Sequence, residues 1–180
     1  MAAYAAGDDR PLGPLFRALA PRVLAFFRKT TDPALAEDLL QMTFMRLHAA
    51  RHTYRPGARV RPWLFTIAAR VRVDELRRRH LLPRPATDEE MDRLVAALGA
   101  PVPGEASEPS GRDRRVREAV DGLPASQRVV IQLHRFEGLS FGEIAQALGV
   151  SEGAARVRAC RAYEALRQRL QPVIAEEGLP

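Results

Sequence analysis

Seven side chains near the C-terminus have types and spacing that suit contacts with the edges of DNA bases. Arginine can bind the O6 and N7 acceptors of guanine through two hydrogen bonds, which is worth about 1–3 kcal/mol of discrimination between bases. Other arginines in such a helix hold phosphates and position the protein. The candidates are Ser151, Arg156, Val157, Arg158, Cys160, Arg161 and Tyr163. This set predicts a helix that binds duplex DNA in the major groove.

A helix-turn-helix motif is predicted around these candidates, between residues 138 and 156. Ser140 and Glu143 have the spacing of a capping box, which starts a short helix. Gly149 falls where a left-handed residue turns the chain, and Ser151 can cap the next helix. Such a pair of helices places the second one in a major groove. An ordinary helical hairpin with a glycine turn is the alternative.

The second helix of this motif divides by face. Ala155, Ala159 and Ala162 recur at helical spacing, followed by Leu166 and Leu170, and are expected to face the core. Arg156, Val157, Cys160 and Arg161 are then the side chains closest to base edges. Arg167 and Arg169, farther along, are interpreted as a solvated face.

Composition limits the classes of function. The 180 residues carry a net charge of +6, and 27 of the 28 basic residues are arginine. This charge fits either plain solubility or a nucleic-acid partner. The single cysteine allows no intrachain disulfide, and no histidine lies at metal-ligand spacing from it. With no phosphate-binding glycine loop, no nucleophile set, no signal peptide and no transmembrane run, we expect a cytoplasmic protein without cofactor or catalytic activity.

Charge and proline content divide the chain into two domains and a linker. Residues 1–80 carry 15 basic and 7 acidic side chains, residues 81–111 carry 2 and 6, and residues 112–180 carry 11 and 9. The middle stretch also contains five prolines and three glycines. We therefore predict domains at 1–80 and 112–180, joined by a flexible acidic linker at 81–111. Thr87 and Glu90 resemble a capping box for one short helix within that linker.

Apolar periodicity predicts an all-α fold for both domains. In the first domain, one helix follows Leu12, a second starts at Asp32 as N-cap with Pro33 at its first position, and a third starts near Arg61. In the second domain, helices are predicted at 112–121, 124–136, 140–148 and 151–171. Strand-like alternation is absent over any useful length.

Five sequence runs, in order, resemble the extracytoplasmic-function (ECF) class of bacterial RNA polymerase sigma factors of the sigma-70 family. The first domain contributes AEDLLQMTFMRL (36–47), RPWLFTIAAR (61–70) and DELRRR (74–79). The second contributes LPASQR (123–128) and the run that starts at FEGLS (136–140) and continues to residue 153. The resemblance covers most of residues 12–80 and 112–170. It implies a sigma factor that binds core RNA polymerase and directs initiation at specific promoters.

The same resemblance implies which residues contact polymerase. In such sigma factors the second helix of the first domain docks on the polymerase clamp. Here this surface is Asp38, Gln41, Met42 and Met45. For Asp38 an alternative stays open, because an acidic residue early in a helix is also favoured by the helix dipole.

The third helix and the loop before it would take the −10 promoter element. Opening DNA requires a base to leave its stack, and aromatic and basic side chains can hold the freed strand. The available residues are Tyr54, Arg55, Arg59, Arg61, Trp63, Arg70 and Arg72. Trp63 also lies on the apolar face, so a core role is an alternative with at least equal weight. Arg77, Arg78 and Arg79 are either phosphate contacts or a solvated helix end.

On this interpretation the C-terminal helix takes the −35 element, and an anti-sigma factor is an expected partner beside core polymerase and promoter DNA. Three rivals stay open. A response-regulator-like protein would share the helix-turn-helix but needs a receiver domain, for which residues 1–80 show no strand pattern. A nucleic-acid enzyme would need a catalytic set. An adaptor would bind polymerase without binding promoters.

Overall fold

A computed structural model of the chain describes residues 1–29, 31–80 and 111–176. Every regular element in these ranges is helical: α1 (Ala2–Ala5), α2 (Leu12–Arg28), α3 (Pro33–Ala49), α4 (Val60–His80), α5 (Gly111–Asp121), α6 (Ala125–Ile131), α7 (Phe141–Leu148) and α8 (Glu152–Glu176). A 3₁₀ turn at Arg51–Thr53 follows α3, and a π-helical turn at Gln132–Phe136 continues α6. The predicted all-α fold is confirmed. The short helix predicted at Thr87 and Glu90 lies outside the described residues.

The start of α3 agrees with the sequence prediction. The Asp32 carboxylate accepts a hydrogen bond from the backbone N–H of Leu35 at 2.9 Å, and Pro33 occupies the first turn. A cap of this kind satisfies one of the N–H groups that a helix start leaves without an intrahelical partner. The start of the helix that carries the expected polymerase surface is therefore fixed by local chemistry.

The first domain packs α2, α3 and α4 around an aromatic core. Phe26 meets Phe65 edge to face, with ring centroids 5.7 Å apart. The short helix α1 was not predicted from the sequence. Its Tyr4 is fully buried, and the Tyr4 hydroxyl lies 2.8 Å from Nδ1 of His48. This contact attaches the N-terminal segment to the end of α3.

The second domain forms around α6, α7 and α8. Val130, Leu133, Ile144 and Ala155 are buried within it. Next to this core, Arg128 donates a hydrogen bond to the Asp121 carbonyl at 3.0 Å, which joins α6 to the end of α5. Burial lowers the pKa of the Arg128 guanidinium, and the charge of Asp121 acts in the opposite direction.

The two domains pack against each other through α4 and α7. The buried apolar side chains of both form one continuous cluster. No local sequence pattern predicts this contact. Within the described ranges, no helix is long and apolar enough to cross a bilayer.

Candidate nucleic-acid interface

The helix-turn-helix is built as the sequence predicts. Ser140 Oγ accepts a hydrogen bond from Glu143 N at 3.2 Å, and the Glu143 carboxylate accepts one from Ser140 N at 2.7 Å, which completes the capping box. Gly149 ends α7 at φ +73°, in the left-handed region. Ser151 Oγ then accepts a hydrogen bond from Ala154 N at 3.1 Å and caps α8. The caps at Ser140 and Ser151 and the left-handed turn at Gly149 therefore define where α7 begins and ends and where α8 begins.

Replacing Gly149 by alanine is expected to destabilise the motif. A left-handed backbone costs a residue with a Cβ about 1–2 kcal/mol. A Cβ at Gly149 would also lie 2.9 Å from Nη2 of Arg77, so that side chain must shift. Urea unfolding followed by circular dichroism should show a loss of about 1–2 kcal/mol.

The matched control is Gly142→Ala, in the first turn of α7. The Cβ added there makes an ordinary contact of 3.5 Å with a Glu152 carboxylate oxygen. Alanine is favoured over glycine inside a helix by about 0.5–1 kcal/mol, so this variant should be as stable as the original or slightly more stable. Equal losses at both positions would show that the left-handed turn is not the cause.

One exposed face of α8 brings together most of the predicted groove contacts. Val157 is 49% exposed and Tyr163 is 41% exposed, so both side chains lie on the solvent-facing side of α8. Arg156, Cys160 and Arg161 are exposed beside them. Arg156 also pairs with Glu152 at 2.6 Å and lies over the Phe141 ring, 5.1 Å from its centroid. The face therefore combines arginine donors with small and aromatic contact surfaces.

Two residues of the predicted set are placed differently. Arg158 is only 5% exposed, so its side chain faces inward and is not presented to a groove. A base or phosphate contact at Arg158 stays a prediction that this burial does not support. Ser151 is exposed, but its hydroxyl is used in the cap of α8.

The loop before α4 surrounds a pocket of about 430 Å³. Tyr54 is buried and meets Trp63 edge to face at 5.2 Å, while its hydroxyl donates to the Ala58 carbonyl. Trp63 is half-buried and packs on the core, so it takes part in both the core and the pocket. The lining of the pocket includes Tyr54, Arg55, Arg59 and Trp63 of the first domain and Glu143 and Gln146 of α7.

The predicted arginines of this region fall into three groups. Arg55 and Arg70 are exposed. Arg59 and Arg61 reach across to the second domain, to Gly138 O at 3.1 Å and to Glu137 Oε2 at 3.0 Å. Arg72 is buried in this structure, and its role in holding a DNA strand stays a prediction.

Glu137, which no sequence pattern singles out, is 7% exposed and contacts two arginines of the first domain. Besides Arg61, its carboxylate lies 3.6 Å from Nη2 of Arg22. These partners lie about 75 or more positions away in the chain, so no local pattern could reveal them. In the sequence, Glu137 lies in the loop before the predicted capping box, and its position there does not predict burial.

The expected polymerase surface lies on the outer side of α3. Asp38, Gln41 and Met45 are exposed and Met42 is half-buried. Met45 is 72% exposed, more than any other large apolar side chain in the part of the chain that the structure describes. With Phe16 and Phe44 it borders an apolar groove of about 890 Å³. Exposed apolar area of this kind is typical of a protein-binding surface.

Comparison with known proteins gives a consistent result. Residues 15–81 match the family described as Sigma-70 region 2, and residues 113–166 match the one described as Sigma-70, region 4. Over 157 residues the chain is 43% identical to RNA polymerase sigma factor CarQ of Myxococcus xanthus, covering 87% of each protein. It is 32% identical to ECF RNA polymerase sigma factor SigF of Caulobacter vibrioides over 85% of this chain and 82% of that one. The chain belongs to the ECF sigma factors of the sigma-70 family.

Solved structures support the same fold. The sigma factor RpoE of Bartonella quintana, solved with the anti-sigma factor NepR, superposes with a TM-score of 0.58 at 24% identity over 88% of this chain and 96% of that one. CnrH, solved with the cytosolic domain of CnrY, gives a TM-score of 0.56 at 24% identity over 95% and 94% of the two chains. As a sigma factor, the protein directs core RNA polymerase to promoters.

Proposed function

We propose that this sigma factor divides its work among three surfaces. The outer side of α3, with Asp38, Gln41, Met42 and Met45, binds core polymerase. The loop before α4 and the exposed arginines near it hold the −10 element. The exposed face of α8 takes the −35 element. The domains that carry these surfaces are residues 1–80 and 112–180, and residues 81–111 connect them.

The observation that carries the proposal is the exposed face of α8. A helix-turn-helix positions its second helix for the major groove, and side chains in the N-terminal half of that helix contact base edges. Arg156, Val157, Cys160 and Arg161 lie in that half and are exposed. Tyr163 extends the face by one turn. Arg158 is left out because it is buried.

The pocket beside Tyr54 and Trp63 supports the −10 assignment. A freed base needs an aromatic or apolar wall for stacking and polar groups at its edge. The pocket offers the Trp63 ring, the Tyr54 ring and the Arg55 and Arg59 guanidiniums. Arg61 and Arg70 are the remaining candidates for backbone phosphates, since Arg72 is buried.

Replacing Arg55 by alanine is expected to weaken promoter complexes in a salt-dependent way. One lost phosphate contact reduces the slope of log affinity against log salt by about 0.7–0.9. The measurement is the affinity of the polymerase–sigma complex for its promoter over a series of salt concentrations. Arg117→Ala, which removes the same charge from an exposed position on α5, should leave the slope unchanged. An unchanged slope for Arg55→Ala would remove this residue from the −10 surface.

We also infer that an anti-sigma factor controls this sigma factor. The sigma factor itself acts in the cytoplasm and contributes no catalytic group. The likeness to RpoE, solved with the anti-sigma factor NepR, and to CnrH, solved with the cytosolic domain of CnrY, supports control by an anti-sigma factor. Co-purification from the source organism, followed by release of activity when the partner is removed, tests it.

The sole cysteine gives a direct test of the −35 assignment, because Cys160 is exposed on the proposed face of α8. A hydroxyl-radical-generating iron chelate attached to Cys160, in complex with polymerase and promoter, is expected to cut DNA around the −35 element. A label on Cys160 can itself disturb DNA binding. A second probe is therefore attached at Gln168→Cys in a Cys160→Ser background, because position 168 is exposed two helical turns farther along α8. Cuts confined to other positions from both probes would overturn the assignment.

A further inference from the structure

The guanidinium of Arg156, on the exposed face of α8, has two neighbours that fix its direction. Glu152, one turn earlier on the same helix, accepts hydrogen bonds at its Oε1 atom from Arg156 Nε at 3.1 Å and from Nη2 at 2.6 Å. The guanidinium also lies over the ring of Phe141, the first residue of α7, at 5.1 Å from the ring centroid. A carboxylate from one helix and an aromatic ring from the other therefore contact the same side chain.

The Phe141 ring is itself fixed in place. It is half-buried and packs against the apolar core. It stacks with the imidazole of His134 in the π-helical turn, with ring centroids 4.3 Å apart and ring planes inclined by 24°. His134 Nδ1 lies 2.8 Å from the Leu139 carbonyl oxygen, and because a carbonyl only accepts, Nδ1 is the nitrogen that donates. The ring therefore offers Arg156 a surface of defined position.

The contacts of Arg156 leave one edge of its guanidinium free for a base. An arginine has five N–H donors, and Glu152 takes one from Nε and one from Nη2. The donors that remain lie on the edge formed by Nη1 and Nη2. Two adjacent N–H groups of this kind can bind O6 and N7 of guanine. The Arg156 side chain is 63% exposed, so the free edge is accessible to DNA.

A fixed guanidinium discriminates between bases better than a mobile one. Arginine has many rotamers, and ordering them on DNA costs conformational entropy. A mobile side chain can also move to a phosphate, which carries no sequence information. Contacts that fix the side chain before binding remove part of this cost and keep its donors at one position in the groove.

We propose that Phe141 and Glu152 are positioning residues for base recognition at the −35 element. Together they hold the Arg156 guanidinium so that its Nη1–Nη2 edge meets a single guanine, and His134 supports the Phe141 ring from within the domain. This inference rests on the proposed contact between the exposed face of α8 and the −35 element.

The test measures base preference on a promoter identified by run-off transcription, with its −35 element randomised. Core polymerase with the full-length protein transcribes this library, and sequencing of the transcripts gives the preference at each position. The original protein should prefer guanine at one position where Arg156→Ala has no preference. Phe141→Leu, which keeps an apolar side chain, should lower the same preference about two- to fivefold, the contribution of an exposed cation–π contact.

Phe141→Tyr provides the conservative variant. It keeps the aromatic face and should retain the guanine preference of the original protein. A merely structural role for Phe141 predicts instead that Phe141→Leu changes stability or total transcription with base preference unchanged. In an Arg156→Ala background, Phe141→Leu should cause no further change at this position, because the side chain that the ring positions is gone. Thermal unfolding followed by circular dichroism checks that each variant is folded.

Glu152→Ala separates positioning from simple electrostatics. Removal of a negative charge beside DNA is expected to strengthen binding at every sequence and, by itself, to leave base preference unchanged. If Glu152 positions Arg156, the guanine preference at the Arg156 position falls even though total binding rises. Glu164→Ala, which removes the same charge from an exposed position farther along α8, should leave base preference unchanged.

The positioning role and the underlying −35 contact fail in different ways. If Arg156→Ala removes one preference but neither Phe141→Leu nor Glu152→Ala lowers it, the positioning role is overturned while the −35 contact stands. If the preference that Arg156→Ala removes is for another base, the assignment of the free edge to guanine is overturned. If Arg156→Ala changes no preference within the −35 element, the proposed base contact of Arg156 fails, and the positioning role fails with it.

Discussion

Replacing Arg161 by alanine is expected to lower the affinity of the polymerase–sigma complex for its own promoter by about 5- to 150-fold, which corresponds to the 1–3 kcal/mol of a bidentate base contact. Arg161 is exposed in the half of α8 that would meet base edges. The measurement is a titration of polymerase–sigma complex on promoter DNA at fixed salt. Substitutions within the −35 element should have less effect on the variant than on the original protein.

Arg167→Ala is the matched control for Arg161→Ala. It removes the same side chain from an exposed position farther along the same helix. The affinity of this variant for promoter DNA should fall by no more than the contribution of one phosphate contact. Its discrimination among −35 sequences should be unchanged. If both variants weaken binding equally and neither changes sequence preference, α8 does not contact bases through Arg161.

Replacing Met45 by aspartate is expected to weaken binding to core polymerase by at least about thirtyfold, because losing a hot-spot side chain at the centre of a protein interface costs about 2 kcal/mol or more. Met45 is 72% exposed and borders the apolar groove beside α3. An exposed side chain carries little folding energy, so unfolding should change little. Fluorescence titration with purified core polymerase measures the effect.

Val116→Asp makes the same kind of change elsewhere. Val116 is an exposed apolar residue of α5, in the second domain. The affinity of the Val116→Asp variant for core polymerase should be within about twofold of that of the original protein, since surface substitutions away from an interface have small effects. Equal loss at both positions would indicate a general effect of charge. No loss at Met45 would place the polymerase contact on another surface.

The parts of the structure that sequence predicted well are those fixed by local chemistry. The caps at Asp32, Ser140 and Ser151 and the turn at Gly149 each depend on residues within a few positions of one another. The helix boundaries followed from these signals and from apolar periodicity. The helix-turn-helix could be located for the same reason.

Two buried arginines, Arg72 and Arg158, show that residue type alone does not indicate which side of a helix a side chain occupies. Arg158 lies one turn from Ala155 and from Ala162, both fully buried, so its position is on the inner side of α8. Arg72 lies one turn from Ala68 and from Glu75, which are also buried. Helical spacing could have identified both as inward-facing, but their charge led to the prediction of DNA contacts.

Contacts between distant segments left no signal in the sequence. The hydrogen bonds of Arg59 and Arg61 to the second domain join residues about 75 or more positions apart, and the Tyr4–His48 contact joins residues 44 apart. A single sequence records no information on which distant surfaces meet. The burial of Glu137 and the helix at residues 2–5 therefore became visible only in the structure.

Run-off transcription tests the central claim most directly. Purified bacterial core polymerase is mixed with a pool of genomic fragments from the source organism, with and without this protein. The account predicts defined new start sites that depend on the protein and share two upstream elements, and that are lost with Met45→Asp and weakened with Arg161→Ala. Failure to bind core polymerase or to direct initiation, with duplex DNA binding retained, would contradict it.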